Sequence, residues 1–177
     1  MGLGLVVSLA RPGGNVTGLS NQSADLPGKR LELLREVIPG LRRLAIMASV
    51  GSGIGVPEMR EVQAATRTFG LEEATVAIRR AEDFAPAIEA LKGRADALYV
   101  VTDLLVNTNR IRINALALGA RLPTMHGERA YVEAGGLMSY GVNFLTCSGA
   151  PVTTSTGSCE VRSRLISRST SPRSSIS

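Results

Sequence analysis

From about residue 25 to residue 141 the apolar positions alternate between two habits: recurrence every third or fourth residue, then short unbroken runs. The first habit marks a helix with one buried face, the second a strand buried on both. Asp25 stands as an N-cap with Pro27 in the first turn, and Leu34, Val37, Ile38 and Leu41 share one face of the helix that follows. Arg43 to Ala48 is a short apolar run and predicts a strand. Pro57 and Glu58 open a second helix, with Met59, Val62, Thr66 and Phe69 along one side and Gly70 as its stop. Ala74 to Ile78 predicts the next strand, and Asp83 to Leu91 a helix that carries Phe84, Ile88 and Leu91 before Gly93. Ala97 to Val101 is the strongest buried strand. Leu105 to Leu118 then predicts a helix, Leu122 to Met125 a strand, Glu128 to Ala134 a short helix and Gly136 to Tyr140 a strand.

This alternation predicts an α/β fold, a parallel sheet with helices on both faces. Ligands of such sheets bind beyond the carboxyl ends of the strands. Those ends are Ser49, Thr102-Asp103 and His126-Gly127-Glu128, so Ser49, Thr102, Asp103, His126 and Glu128 are candidate ligand-binding residues. Asp103 has two roles open to it. It holds the ammonium of a solute in a charge-assisted pair, or it caps the helix that follows. His126 is the only histidine, so no His-based metal cluster or Ser-His-Asp triad can be assembled with a choice of partners. Gly51-Ser52-Gly53-Ile54-Gly55 has the placement of a dinucleotide loop, but Val56 stands where the third glycine belongs and no acidic residue closes a second strand about twenty residues on. A flexible loop is the better reading.

Apolar content of 44% supports a core, and aromatic content of 3% with no Trp makes that core aliphatic. A net charge of +5 invites a nucleic-acid partner. The arginines are instead spread over several helices beside Glu and Asp, and the remaining basic excess lies beyond residue 160, so solvated faces explain them. Two cysteines, Cys147 and Cys159, make neither a disulfide framework nor a zinc site. The sequence points to no cofactor, no metal and no catalytic cluster. No apolar run reaches the ~18 residues of a membrane span, and the first residues lack the basic region and cleavage pattern of a signal peptide.

Three blocks carry a family resemblance: Ser8 to Ser20, with its Arg11-Pro12-Gly13-Gly14-Asn15 turn; Lys29 to Pro39; and Glu133 to Gly141, with its Ser139-Tyr140-Gly141 strand end. In order and spacing they resemble the substrate-binding proteins of bacterial ABC importers with a type I periplasmic-binding fold, in the branch that includes binders of aromatic amino acids. The resemblance runs from about Gly2 to Phe144. It implies a non-enzymatic binder of a small, amino-acid-like solute, working with an ABC permease in the periplasm or cell envelope. It implies a two-lobed clamshell whose second lobe is residues 21–135. Residues 1–20 are then a remnant of the first lobe with the first crossing, and 136–144 a second crossing. Thr17, Gly18, Ser139, Tyr140 and Gly141 become hinge residues, and Ser20 joins the candidate ligand contacts. Asp103 matches a family aspartate, while Ser49-Val50 and Glu128 depart from the family's usual Asn-Pro and aromatic residue. Lacking a signal peptide, the chain as written is expected in the cytoplasm. Two other classes share the architecture, the effector-sensing domain of a transcription regulator and a small Rossmann-like or flavodoxin-like enzyme.

After Phe144 the periodicity ends, and 15 of the 33 residues from 145 to 177 are Ser or Thr, a composition that predicts a tail without packed structure. Reading the underlying codons one base out of register permits Asp-Leu-Phe-Arg-Arg-Ala and an amphipathic helix of the family's kind. The expectation is therefore a frameshifted fragment whose strand Gly136 to Tyr140 exposes Leu137, Met138 and Tyr140 as an apolar patch prone to self-association.

Overall fold

A computed structural model describes residues 26–51, 53, 55–141 and 158–161. The expected architecture is present. Five parallel strands, β1 (Arg43–Ser49), β2 (Glu72–Ile78), β3 (Ala97–Val100), β4 (Thr124–His126) and β5 (Met138–Gly141), lie in the order β2-β1-β3-β4-β5. Helices α1 (Leu26–Val37), α2 (Val56–Thr68), α3 (Phe84–Leu91), α4 (Leu104–Thr108), α5 (Arg110–Gly119) and α6 (Arg129–Glu133) fill the connections. The chain leaves β1 for one edge, then returns to the other side of β1 as β3, so the strand order reverses between β1 and β3. In open sheets that reversal opens a crevice beyond the carboxyl ends.

Successive side chains of a strand point to opposite faces, and the core divides accordingly. Leu44, Ile46, Ala97, Tyr99, Val101 and Met125 pack with Leu31 and Leu34 of α1 and Val62 of α2. Ala45, Met47, Leu98 and Val100 pack on the opposite face with Phe84 and Ile88 of α3, Ile113 and Ala117 of α5, and Tyr131 of α6. Gly70 and Gly135 end α2 and α6 in the left-handed region, at φ +66° and +105°. The following amides reach back to the carbonyls of Thr66 and Tyr131, a closure that favours glycine there.

Three expectations are corrected. The single helix over 105–118 is two, α4 and α5, broken at Asn109, whose φ of −106° and ψ of 12° leave the helical region. Its side-chain amide donates to the Leu105 carbonyl at 2.8 Å, so the break is held by a local side-chain bond. Leu137 and Met138 do not form a surface patch. They are 4% and 1% exposed, enclosed in the core that Leu31 and Leu34 of α1 complete. The region from 145 onward contains a strand, β6 (Ser158–Val161), paired antiparallel with β5 through Met138↔Val161 and Gly141↔Ser158. The segment 1–25, with Thr17, Gly18 and Ser20, and the rest of the region after 141 lie outside the described residues.

The carboxyl ends of β4 and β5 approach without side chains between them: a Cβ on Gly141 would collide with the Gly127 carbonyl oxygen. Gly141→Ala should therefore cost at least about 2 kcal/mol, in the upper range for single substitutions. Gly40→Ala, where a Cβ meets open space, should stay within about 0.5 kcal/mol. Urea denaturation of the two variants checks this, and equal midpoints would contradict the close approach.

Candidate functional site

Helix α1 runs antiparallel to the strands, which brings its first turns to their carboxyl edge. Arg30 lies there on the same face as Leu31 and Leu34, and it is 6% exposed. Its guanidinium is consumed by neighbours. Nε donates to the Tyr140 carbonyl at 2.7 Å, and Nη1 donates to Glu58 Oε1 and to the Tyr99 hydroxyl oxygen, each at 2.6 Å. The Tyr99 hydroxyl donates to Glu58 Oε1 at 2.9 Å, and the Thr102 amide to Glu58 Oε2 at 3.2 Å. One buried cation thus joins α1, α2, β3 and β5. Burial, with the Glu58 carboxylate beside it, raises the Tyr99 pKa well above the ordinary phenol range. Gly127 is the wall beside this group, since a Cβ there would meet Arg30 Nη2 at 2.8 Å and Thr102 Oγ1 at 2.9 Å.

Continuing the strand registers past their last pairs (Met47↔Val100, Tyr99↔Met125, His126↔Ser139) puts Ser49, Thr102, Glu128 and Gly141 in one row across the edge. Ser49, Thr102 and Glu128 are all half-buried. Asp103 is buried and its Oδ1 accepts from the amides of Leu105 at 2.7 Å and Val106 at 3.2 Å, so it caps α4. Glu128 occupies the corresponding place before α6 but makes no capping bond. Desolvation, followed by the charge of Glu58, raises its pKa above the usual carboxylate value.

His126 sits beneath the row, fully buried. Its Nε2 is 3.0 Å from Asn114 Oδ1, and Asn114 Nδ2 donates to the Tyr131 carbonyl at 2.8 Å. The amide therefore offers its oxygen to the ring, which makes Nε2 the protonated nitrogen. The ring stacks on Tyr131 at 4.6 Å between centroids. Burial, with the Arg30 charge, pushes the His126 pKa down to about 3. His126 thus lies buried beneath the edge, and its Nδ1 has no hydrogen-bond partner among the described residues. Ser139 is buried and Tyr140 half-buried in β5. Gly55, the last glycine of the Gly-rich loop, is explained by packing: a Cβ there would meet Val101 Cγ1 at 2.9 Å.

Sequence reading missed Arg30, Glu58, Tyr99 and Tyr131 as parts of this site. The legible signal was phase, because a charged residue at position 30 shares the apolar face of α1 with Leu34. Among the described residues no group of His, Cys, Asp or Glu has metal-site spacing, and no helix is long and apolar enough to cross a membrane.

Two stability predictions follow from these groups. Breaking a buried ion pair from one side costs about 3–5 kcal/mol, so Arg30→Met and Glu58→Met should each be strongly destabilising, and the double variant should cost clearly less than their sum. A double-mutant cycle in denaturant reads this, and additive costs would show that the pair is not coupled. His126 binds no proton in the fold until about pH 3, whereas in the unfolded chain it protonates near 6.5. Its contribution is complete above pH 6.5 and falls as pH drops, by up to about 1.4 kcal/mol per unit. Stability measured from pH 7 to 5 should decline with that slope, and His126→Phe should flatten it. An unchanged slope in that variant would exclude His126 as the cause.

Comparison with known proteins places this geometry. Residues 1–149 match the family model described as ABC transporter substrate binding protein. A "Tyrosine-binding protein" of Clostridioides difficile (strain R20291) is 30% identical over 145 residues, covering 80% of this chain and 40% of that relative. The ligand-free, open structure of a substrate binding protein with adhesive properties from Clostridium difficile superposes with a TM-score of 0.74 at 26% identity, over 92% of this chain and 60% of that one. An ABC domain in complex with L-Trp from Streptococcus pneumonia gives a TM-score of 0.71 at 23% identity, over 91% and 62%, a likeness of fold. The chain spans less than two thirds of each of these relatives. With a family model matched over most of its length, and with the parallel sheet and carboxyl-edge row described above, the chain belongs to the ABC transporter substrate binding protein family.

Proposed function

We propose that this chain supplies one wall of the solute-binding cleft of an ABC import system and that a small amino-acid-like solute rests beyond the carboxyl edge of its sheet. The observation that carries this is the row Ser49, Thr102 and Glu128 at the reversal between β1 and β3, where open sheets bind ligands. The names of relatives that bind tyrosine and tryptophan support the amino-acid class. The chain acts as a binder rather than an enzyme, with a permease as its partner and the periplasm or cell envelope as the place of the whole protein's work. Residues 21–135 form the second lobe, with Ser139, Tyr140 and Gly141 on one crossing and Thr17 and Gly18 on the other. Family membership favours this reading over an effector sensor of a transcription regulator.

A working pocket buries about 70–90% of a small ligand, and a single wall buries much less. The chain alone should therefore bind L-tyrosine or L-tryptophan no tighter than about millimolar, or about −4 kcal/mol. Isothermal calorimetry checks this. Micromolar affinity would overturn the single-wall reading, and amide shifts confined to the opposite edge of the sheet at saturating solute would overturn the location.

A further inference from the structure

Strand β2 forms one edge of the sheet, and among the described residues β1 is its sole pairing partner. Of its seven residues the first four are exposed and only Ile78 is buried, so α2 and α3 leave much of both its faces open. The Glu72 amide donates to the Arg42 carbonyl at 2.8 Å, and the Ile78 carbonyl accepts from the Val50 amide at 2.7 Å. Backbone groups of successive strand residues point to opposite sides, so residues 72, 74, 76 and 78 face β1. Glu73, Thr75 and Ala77 turn their amides and carbonyls away from the sheet. Such a row of open backbone groups is a template for another strand.

The charges along this edge select which strand. Glu72 and Glu73 open it, residues 74–78 are uncharged, and Arg79 and Arg80 follow, all four charged residues being exposed. Glu73 receives only long contacts, at 3.4 Å, from Gln63 and Thr66. Antiparallel alignment of this segment with itself about Val76 sets Glu72 opposite Arg80 and Glu73 opposite Arg79, twice over by symmetry. The same alignment sets Thr75 opposite Ala77, two positions whose backbone groups point outward, so they exchange both hydrogen bonds. The Arg79 amide is already given to Asp83 Oδ2 at 2.9 Å, which ends the ladder there. A shift of one residue would set outward groups against inward ones and lose the bonds. A shift of two would keep the bonds and lose the charge pairs. Opposite charges directly across antiparallel strands stabilise, and like charges destabilise. Charges placed to keep a second copy away would meet their own sign.

We propose that β2 is a self-association surface: it pairs antiparallel with β2 of a second copy of this chain and joins the two sheets across a two-fold axis at Val76. Such an interface is isologous, the same patch serving both copies. The carboxyl edges of the two sheets then point in opposite directions, so neither copy covers the other's row of Ser49, Thr102 and Glu128. A strand pair alone is smaller than the ~1,200 Å² of a standard interface, so association belongs at about micromolar to millimolar strength.

Sedimentation velocity of the full chain, at concentrations up to about a millimolar, reads the assembly. The chain should pass from monomer to dimer. Raising salt from about 0.05 to 0.5 M should weaken the dimer, because exposed pairs are screened. Glu72→Arg with Glu73→Arg leaves the strand with positive charge alone, and Arg79→Glu with Arg80→Glu with negative charge alone. Each double variant by itself should dimerise at least 10-fold more weakly, while an equimolar mixture should recover a heterodimer at the strength of the unaltered chain. Thr75→Pro removes an outward amide that β1 does not use, so it should abolish the dimer and leave the monomer folded by circular dichroism. A monomer at every concentration overturns the proposal. So does a dimer that survives Thr75→Pro, and so do double variants whose mixture regains no association. That mixture decides the matter even should the proline variant unfold.

Discussion

The guanidinium of Arg30 is the constraint on which the arrangement at the carboxyl edge depends. A cation enclosed this fully is tolerated only when its donors are met and its charge is balanced. Glu58 supplies the balance, Tyr99 an acceptor and the Tyr140 carbonyl another. Each partner comes from a different element, so satisfying one side chain fixes where α1, α2, β3 and β5 stand relative to one another. The hydrophobic faces bring these elements together without direction, and the hydrogen bonds of Arg30 select one placement from those the apolar contacts alone would permit.

The same edge sorts its titratable groups by depth. Tyr99 and His126 lie low, where burial keeps both neutral at ordinary pH. Glu58 and Asp103 lie above them and are held by neighbouring donors. Glu128, half-buried before α6, makes no capping bond. An edge built this way presents fixed polarity, because most of its internal bonds are already made.

Much of the fold was legible because burial on both faces of a parallel sheet writes itself as unbroken apolar runs. Leu44, Ala45, Ile46 and Met47 feed two separate cores and still read as one strand. The bend at Asn109 was hidden, since a side-chain bond to Leu105 leaves the apolar spacing on either side intact. Strand β6 was hidden for the opposite reason: it pairs through backbone groups with an edge that β5 supplies, and such pairing needs no apolar period. At the edge, strand ends pointed to Ser49, Thr102, Asp103, His126 and Glu128, of which Asp103 and His126 are buried and the other three half-buried. Arg30 was passed over because a charged residue in a helix reads as solvated unless its phase is compared with that of Leu34. Tyr131 gave no signal of its own in the sequence: its ring packs in the core and its buried hydroxyl has no hydrogen-bond partner among the described residues.

The contact between Gly127 and Gly141 sets a mechanical character for the end of the sheet. Sliding one along the other is resisted, because the Gly127 carbonyl already fills the space where any atom beyond Cα at position 141 would go. The junction is therefore stiff against sliding, and it stays so only while position 141 carries no side chain.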